Sequence, residues 1–459
     1  MSLLVRFLLR SVILLVFVAN PAVAQTNLIR MEQYFSGPLA LTETVYDIHG
    51  EISYIGSGTF ESVYMHYQIN DNEVVSTFFD NINVHSNIPF YCQAEPAWEP
   101  EAPGQYDVRI WFSGVNGAPV DEVASDTLYR VVGVYDDLPE RQLTLLESFS
   151  SINCGSCAII NPDIRDMIAA DDDYAMVFYH PFSYENSPLY AFNPRDNDIR
   201  RDLYGVTYTP FAVAGSIFQD GTEFLTDSIM DMELDKPAGH TIDGTYYIEE
   251  DTLTVDVETT AFIALEERPL RLYVVLTEDS VSFEEPPGYN GESTFYHVHR
   301  KFLPDASGLS LKNQDFGDVF SASMVYDLSH GQIDTTAMEV LAFIQDEENL
   351  DVYQAIRLAY EAPEDDDETS IDNEPALPVV NVYPNPADGP LTISMDGSGR
   401  IQNVAIFDTK GRRIHHNIEN MFQPNGNVQL TIQSIPDGLY ILRIGTSNGV
   451  VHSKLLIER

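Results

Sequence analysis

The sequence predicts a multidomain α+β chain: an N-terminal β-sandwich, a central α/β unit, a second β-sandwich and a small C-terminal β-sandwich. Three observations carry this. Apolar residues alternate with period two through residues 25–137 and 236–360, as they do in half-buried strands. Between those spans a strand-like run, a helix-spaced run and a second apolar run follow in order, the pattern of an α/β unit. The length, 459 residues, also exceeds what one core holds, since domains run to about 100–200 residues.

The chain opens on a targeting signal. Arg6 and Arg10 precede "SVILLVFVA", an apolar run too short to span a bilayer comfortably, and Ala22–Ala24 forms a small-x-small cleavage site. Residues 1–24 are therefore expected to be removed and the remainder exported to a compartment that permits disulfides. No cysteine stands near the cleavage site, so a lipid anchor is not expected there. No later run of about 20 apolar residues predicts a membrane-spanning segment.

Residues 25–137 are expected to form an immunoglobulin-like sandwich. Val63, Met65, Tyr67 and Ile69 share one strand face, and Tyr106, Val108, Ile110 and Phe112 another; runs such as "HSN" and "GVNGAP" mark the turns. Residues 138–235 change character. "RQLTLLESF" reads as a strand, "CAIINPDIRDMIAADD" as a helix and "DYAMVFYHPF" as a strand; a polar stretch and "RDLYGVTYTPFAVAGS" follow. Residues 236–360 return to strands. Leu253, Val255 and Val257 alternate, whereas "LRLYVVLTED" and "EVLAFIQDE" are more continuously apolar, as inner strands are. His297 and His299 fall on one face of "YHVHRKF"; with no partner at zinc-ligand spacing, a solvated strand face is expected. Residues 361–378 are acidic and Pro-rich and read as an extended linker. Its Asp365–Asp367 run is read as solvated charge, with calcium as the alternative. Residues 379–459 are again a compact β pattern.

Seventy-one Asp and Glu against twenty-four Lys and Arg give a net charge of −47. Such a field repels nucleic acid and anionic lipid headgroups, so neither is expected as a partner. Ser-His-Asp spacing, a phosphate loop and an HExxH motif are all missing from the sequence, which leaves hydrolase and nucleotide functions without support. No cofactor or metal is expected.

The tail carries the most specific resemblance. "VYPNPA" (382–387), "IFDTKGRRI" (406–414), "GLYILRI" (438–444) and "KLLI" (454–457) resemble the C-terminal sorting domain of the type IX secretion system of Bacteroidetes. The resemblance implies the type IX machinery as partner, passage across the outer membrane, and then cleavage of the tail or attachment at the cell surface.

Two of three cysteines, Cys154 and Cys157, stand in "SFSSINCGSCAIINPDI". Zinc needs four ligands and no second close pair exists. A Cys154–Cys157 bridge closes a tiny loop, so it restricts the unfolded chain little, which argues against a staple. A redox pair has a mechanism. The loop after "RQLTLLESF" delivers Cys154 to a helix start, where free N–H groups stabilise a thiolate. Cys154 would attack, and Cys157, shielded, would resolve the mixed disulfide. Downstream, Thr209–Pro210 in "YTPFAVAG" precedes a strand; a cis bond there would turn the Thr209 backbone toward a bound peptide. Cys92 is expected to be a buried small hydrophobe.

CxxC after "LLESF", a helix, an apolar strand and "GVTYTPFAVAG" together resemble the thioredoxin fold, and more narrowly the thioredoxin-fold outer-membrane protein family of Bacteroidetes. Glu147, Phe149 and Phe343–Asp346 match that family's Glu-x-Phe run and "FIQD"-like strand, and the resemblance covers about residues 140–358. There are departures. Asn153 replaces the usual Trp, Ala158 the usual Pro, and Glu147 is one position off the buried acid of thioredoxins, hence on the opposite strand face, with Ser148 in its place. The insert "SYENSPLYAFNPRDNDIRR" has no counterpart and reads as a loop or the wall of a partner groove. Two functions stay open: thiol–disulfide exchange with protein thiols or disulfides, and a non-enzymatic surface binding or adhesion protein using the fold as a scaffold.

Overall fold

A computed structural model describes residues 28–182, 186–220, 226–264, 269–311, 314–329, 333–362, 380–395, 400–408, 413–415, 427–430, 432, 435–446 and 449–459. The expected signal segment 1–24 and the Asp365–Asp367 run of the expected linker lie outside them.

The alternating N-terminal segments pair into two sheets. Leu28–Tyr34, His49–Ile55 and Pro89–Gln93 form one; the other runs in the order Leu39–Leu41, Leu128–Tyr135, Gly104–Ser113, Val63–Ile69, Val75–Phe79. Their inward residues, among them Ile48, Ile52, Val63, Met65, Val108, Ile110 and Phe112, share one core. Cys92 is wholly buried in it, and burial pushes its thiol up to about 12.

The second assembly is a nine-stranded sheet. Its main path runs Ile217–Asp220, Phe211–Ala214, Thr144–Phe149, Tyr174–Tyr179, Thr294–Leu303, Leu270–Ser282, Met338–Asp346, Val352–Arg357. Strands from both sides of residue 235 therefore join one sheet. Thr144–Phe149 runs parallel to Tyr174–Tyr179, and the helix Cys157–Ala170 makes the crossover. Tyr174–Tyr179 meets Thr294–Leu303 through a single parallel pair, Phe178 with Val298.

Both faces of this sheet are covered, so Thr144–Phe149 and Tyr174–Tyr179 are buried at every residue. On one face, Ile160, Ile164 and Ile168 of the crossover helix and Met230 of the helix Asp227–Leu234 pack on Leu146, Met176 and Phe178. On the other, Tyr204 of the helix Pro194–Tyr204 packs with Leu145, Phe149, Tyr179, Tyr273, Phe302 and Phe343. This helix and the preceding Pro188–Phe192 occupy the insert, which is helical where a loop or groove wall was expected.

The strand Leu270–Ser282 serves two cores. Tyr273 and Val275 face the helix side, while Leu270, Leu272, Val274 and Leu276 meet Val255 and Val257 of a second sheet. That sheet runs Val319–Asp327, Thr252–Ala261, His240–Glu249, Ala359–Tyr360. This double duty explains the strand's nearly unbroken apolar run.

Two further sheets, Val380–Tyr383/Leu391–Met395/Val428–Leu430 and Arg413–His415/Ile401–Asp408/Gly438–Thr446/Gly449–Ile457, enclose the tail's own core. Its outward Ile441 lies in the core of the second sandwich, against Gly317, where an added Cβ would meet Ile441 Cδ1 at 2.0 Å. Arg443 reaches Asp137 at 2.7 Å and Lys454 reaches Asp318 at 3.2 Å. No helix among the described residues is long and apolar enough to cross a membrane.

Candidate functional site

The strand Thr144–Phe149, paired on both sides, ends where its chain turns off the end of the sheet toward the crossover helix. Cys154 and Cys157 are joined there as a disulfide with Cα atoms 5.2 Å apart. The helix begins at Cys157 rather than at Cys154, so Cys154 occupies the turn just before it. The sulfurs differ in access: Cys157 is fully buried, Cys154 is partly exposed, and Gly155 and Ser156 between them are exposed. The Cys157 N–H donates to Cys154 Sγ at 3.0 Å, and Ser156 Oγ lies 3.4 Å from the same sulfur. Cys154 thus sits against donors able to stabilise negative charge on it.

Thr209 and Pro210 are partly exposed, and the bond between them is cis. Pro210 immediately precedes Phe211, which pairs with Phe149 across the antiparallel strands. The proline turn and the cysteine loop therefore leave the same end of the sheet. All four predicted site residues belong to that end.

Glu147 does not. It is buried on the face away from the cysteine helix, the side occupied by Leu145 and Phe149, while Ser148 takes the helix side with Leu146. Its carboxylate accepts from Tyr179 Oη at 2.8 Å and Arg200 Nε at 2.9 Å, with Arg200 Nη2 and Tyr204 Oη also donating. Arg200 is wholly buried, and its guanidinium lies over the rings of Tyr204, Tyr273, Phe302 and Phe343 at 5.0–5.6 Å. A carboxylate locked to a buried guanidinium on the far side of the sheet has no route to the cysteine protons. Arg200 escaped the sequence reading because it lies in the insert. The signal that could have found it is Asn193–Pro194, a helix-start pair: Asn193 Oδ1 accepts from the Asp196 N–H at 3.3 Å.

The expectation of a solvated face for His297 and His299 is corrected. His299 is 2% exposed, and His297 sits at φ 49° beside an irregular pairing in which Thr277 meets His299. His297 Nδ1 lies 3.7 Å from Glu339. The insert helix and neighbouring strands close over His299, which period two alone could not foretell. Neither ring nitrogen of His299 or of buried His180 has a hydrogen-bond partner. Burial, reinforced by Arg300 for His180 and by Lys301, Arg200 and Arg300 for His299, lowers both to about 3. The 3.9 Å approach of His299 to Asp196 is therefore contact with a neutral ring. Among the described residues no group of three His, Cys, Asp or Glu could hold a metal ion.

Residues 381–458 match the family described as Secretion system C-terminal sorting domain. The chain is thus cargo for a secretion machinery, of type IX, and is exported to the cell surface or the exterior. Among solved structures, it is similar to HBP35 of Porphyromonas gingivalis at 18% identity and a TM-score of 0.40, over 70% of this chain and 100% of that one. It is also similar to a domain of the outer membrane lipoprotein Omp28 from the same organism, at 17% identity and a TM-score of 0.20, over 27% of this chain and 90% of that one. No curated protein matches the chain.

Proposed function

We propose that this exported protein exchanges thiols and disulfides through a thioredoxin-like unit, residues 138–235. In this reading the unit stands between an N-terminal sandwich (25–137) and a second sandwich (236–360), with the linker 361–378 and the sorting tail 379–459 following. One observation carries it: a partly exposed Cys154, held by the first N–H of a helix, is bonded to a fully buried Cys157. An incoming substrate thiolate can reach Cys154 Sγ. The new S–S bond forms there, the Cys154–Cys157 bond breaks, and Cys157 leaves with the electron pair and takes up a proton. A second substrate thiolate then attacks its partner's sulfur and expels Cys154 as a thiolate. The substrate dithiol has lost two electrons and two protons; the protein pair has gained both electrons and, with Cys154 left as the thiolate, one proton, the other passing to solvent. Run backwards, the same steps reduce a substrate disulfide. Thr209 and Pro210 would hold an extended substrate segment beside Cys154, Pro210 offering no N–H to compete for its carbonyls.

The test is insulin reduction together with redox titration of the mature chain against glutathione. Exchange lost in Cys154→Ser is the expected result; a native pair inert to both glutathione and dithiothreitol overturns the proposal. A second reading, a binding or adhesion protein on the same scaffold, is favoured by the engagement of Glu147 with Arg200, which leaves Ser148 where an acid would relay protons. Under that reading the double variant Cys154→Ser/Cys157→Ser keeps its cellular role.

A further inference from the structure

The cysteine loop is gripped by a segment far away in sequence. The Asn290 N–H donates to the Ile152 carbonyl at 3.0 Å, Asn290 Nδ2 to the Ser151 carbonyl at 3.2 Å, and the Tyr289 N–H to Asn153 Oδ1 at 3.0 Å. The approach is so close that a Cβ on Gly288 would meet the Ile152 carbonyl oxygen at 2.2 Å. One carboxylate organises the grip. Glu292 accepts from Asn290 Nδ2 and from Asn161 Nδ2, the latter at 2.8 and 3.1 Å. Asn161 stands four residues after Cys157, one turn along the same side of the helix. Its Nδ2 also reaches Ser150 Oγ at 3.4 Å. Glu292 therefore ties both arms of the cysteine turn, Ser150–Asn153 before it and the helix after it.

We infer that Glu292 is a positioning residue for the Cys154–Cys157 pair, acting through Asn290 and Asn161, and that its charge biases the pair toward the disulfide. The inference rests on the exchange reading. It also supplies a carboxylate on the cysteine side of the sheet, where Glu147 is not. The opened pair keeps its negative charge on Cys154, in the turn that Glu292 ties through Asn290 and Asn161, and a second negative charge beside that turn disfavours this thiolate and with it the reduced pair. Arg165, which borders the same small cavity as Glu292 and Tyr296, directs its guanidinium to Asp166 at 2.6 Å and over the Tyr296 ring at 5.2 Å. The half-buried carboxyl of Glu292 is raised by desolvation, against its bonds from Asn161 and Asn290.

The experiment equilibrates the full mature chain with glutathione, one protein disulfide and two glutathione thiols against one protein dithiol and one glutathione disulfide. Glu292→Gln keeps a carbonyl acceptor and loses the charge. It is expected to move the equilibrium toward the dithiol by roughly threefold to tenfold, as expected for one nearby charge in a partly wet site, while Glu292→Asp stays near the native value. Asn161→Ala, which cuts the carboxylate's hold on the helix, is expected to shift it the same way by a smaller factor and stands in should Glu292→Gln not fold. A native chain that exchanges while both Glu292→Gln and Asn161→Ala stay within about twofold of it overturns this inference alone. A native chain that does not exchange overturns it together with the exchange reading.

Discussion

Glu147 and Arg200 are almost completely enclosed, their side chains 2% and 0% exposed, and each is the other's charge partner. Glu147→Gln would leave a guanidinium uncompensated among aromatic rings, so a loss of about 3–5 kcal/mol is expected, read as a lowered denaturation midpoint. Because Glu147 faces away from the cysteine helix, the thiol titration of the folded variant is expected to stay native; a shifted thiol curve would count against the assigned face. His180 and His299 add a dependence on acidity. Each titrates near 6.5 when unfolded and at about 3 in the fold. Above pH 6.5 both states are neutral and the stability is fully present. As pH falls from 6.5 toward 3 the unfolded chain binds protons that the folded one refuses, and stability is lost, by roughly 2 kcal/mol per histidine at pH 5. The groups around them are Arg200, Arg300, Lys301 and Asp196. Denaturant melts at pH 7 and pH 5 check this, and equal midpoints in native protein and in His299→Gln across that range would refute it.

At the scale of elements, the sequence was most informative where one face was solvated. Leu253, Val255 and Val257 are buried between exposed Thr252, Asp256 and Glu258, and Val63, Met65, Tyr67 and Ile69 are likewise buried at alternate positions, although His66 on the other face is buried too. The cysteine loop, its helix and the Thr209–Pro210 turn were also legible, since CxxC and Thr-Pro are local signals that need no knowledge of packing. Legibility failed where distant segments decide the environment. Glu292 and Asn290 sit in "PPGYNGE", which reads as an ordinary turn, and their meaning comes from contact with Ser151 and Asn161. His299 is buried by Tyr179 and Phe302 of the sheet and by the helix Pro194–Tyr204, from an insert whose helicity was hidden behind its polar residues. The joining of the two halves of the large sheet rests on one pair, Phe178 with Val298, and no periodicity announces it. A prediction follows for this element. A fragment of residues 138–235 would expose the Tyr174–Tyr179 edge and strip Arg200 of Tyr273, Phe302 and Phe343, so it is expected to aggregate, whereas residues 138–360 are expected to unfold cooperatively. Gel filtration and circular dichroism distinguish them; a monomeric, cooperatively melting short fragment would be the contrary result.

At the scale of the whole molecule, the tail has its own core and leans on the rest through a small contact. Burying Ile441 contributes about 1.5–3 kcal/mol, and the two half-exposed ion pairs, Arg443–Asp137 and Lys454–Asp318, about 0–1 each. A total of a few kcal/mol corresponds to roughly millimolar affinity between separate chains. A cut within residues 361–378 is therefore expected to free the tail at micromolar concentration. Co-elution of the two pieces on gel filtration would show the contact to be stronger than this. The strand Leu270–Ser282 has a different kind of reach. Its even-numbered apolar residues answer to the second sandwich and Tyr273 and Val275 to the Arg200 cluster, so mutation in either neighbourhood is screened by the same few positions. The two halves are thereby bound to a common lineage: descendants that shuffle one must carry the other, and their rates of divergence are expected to track together.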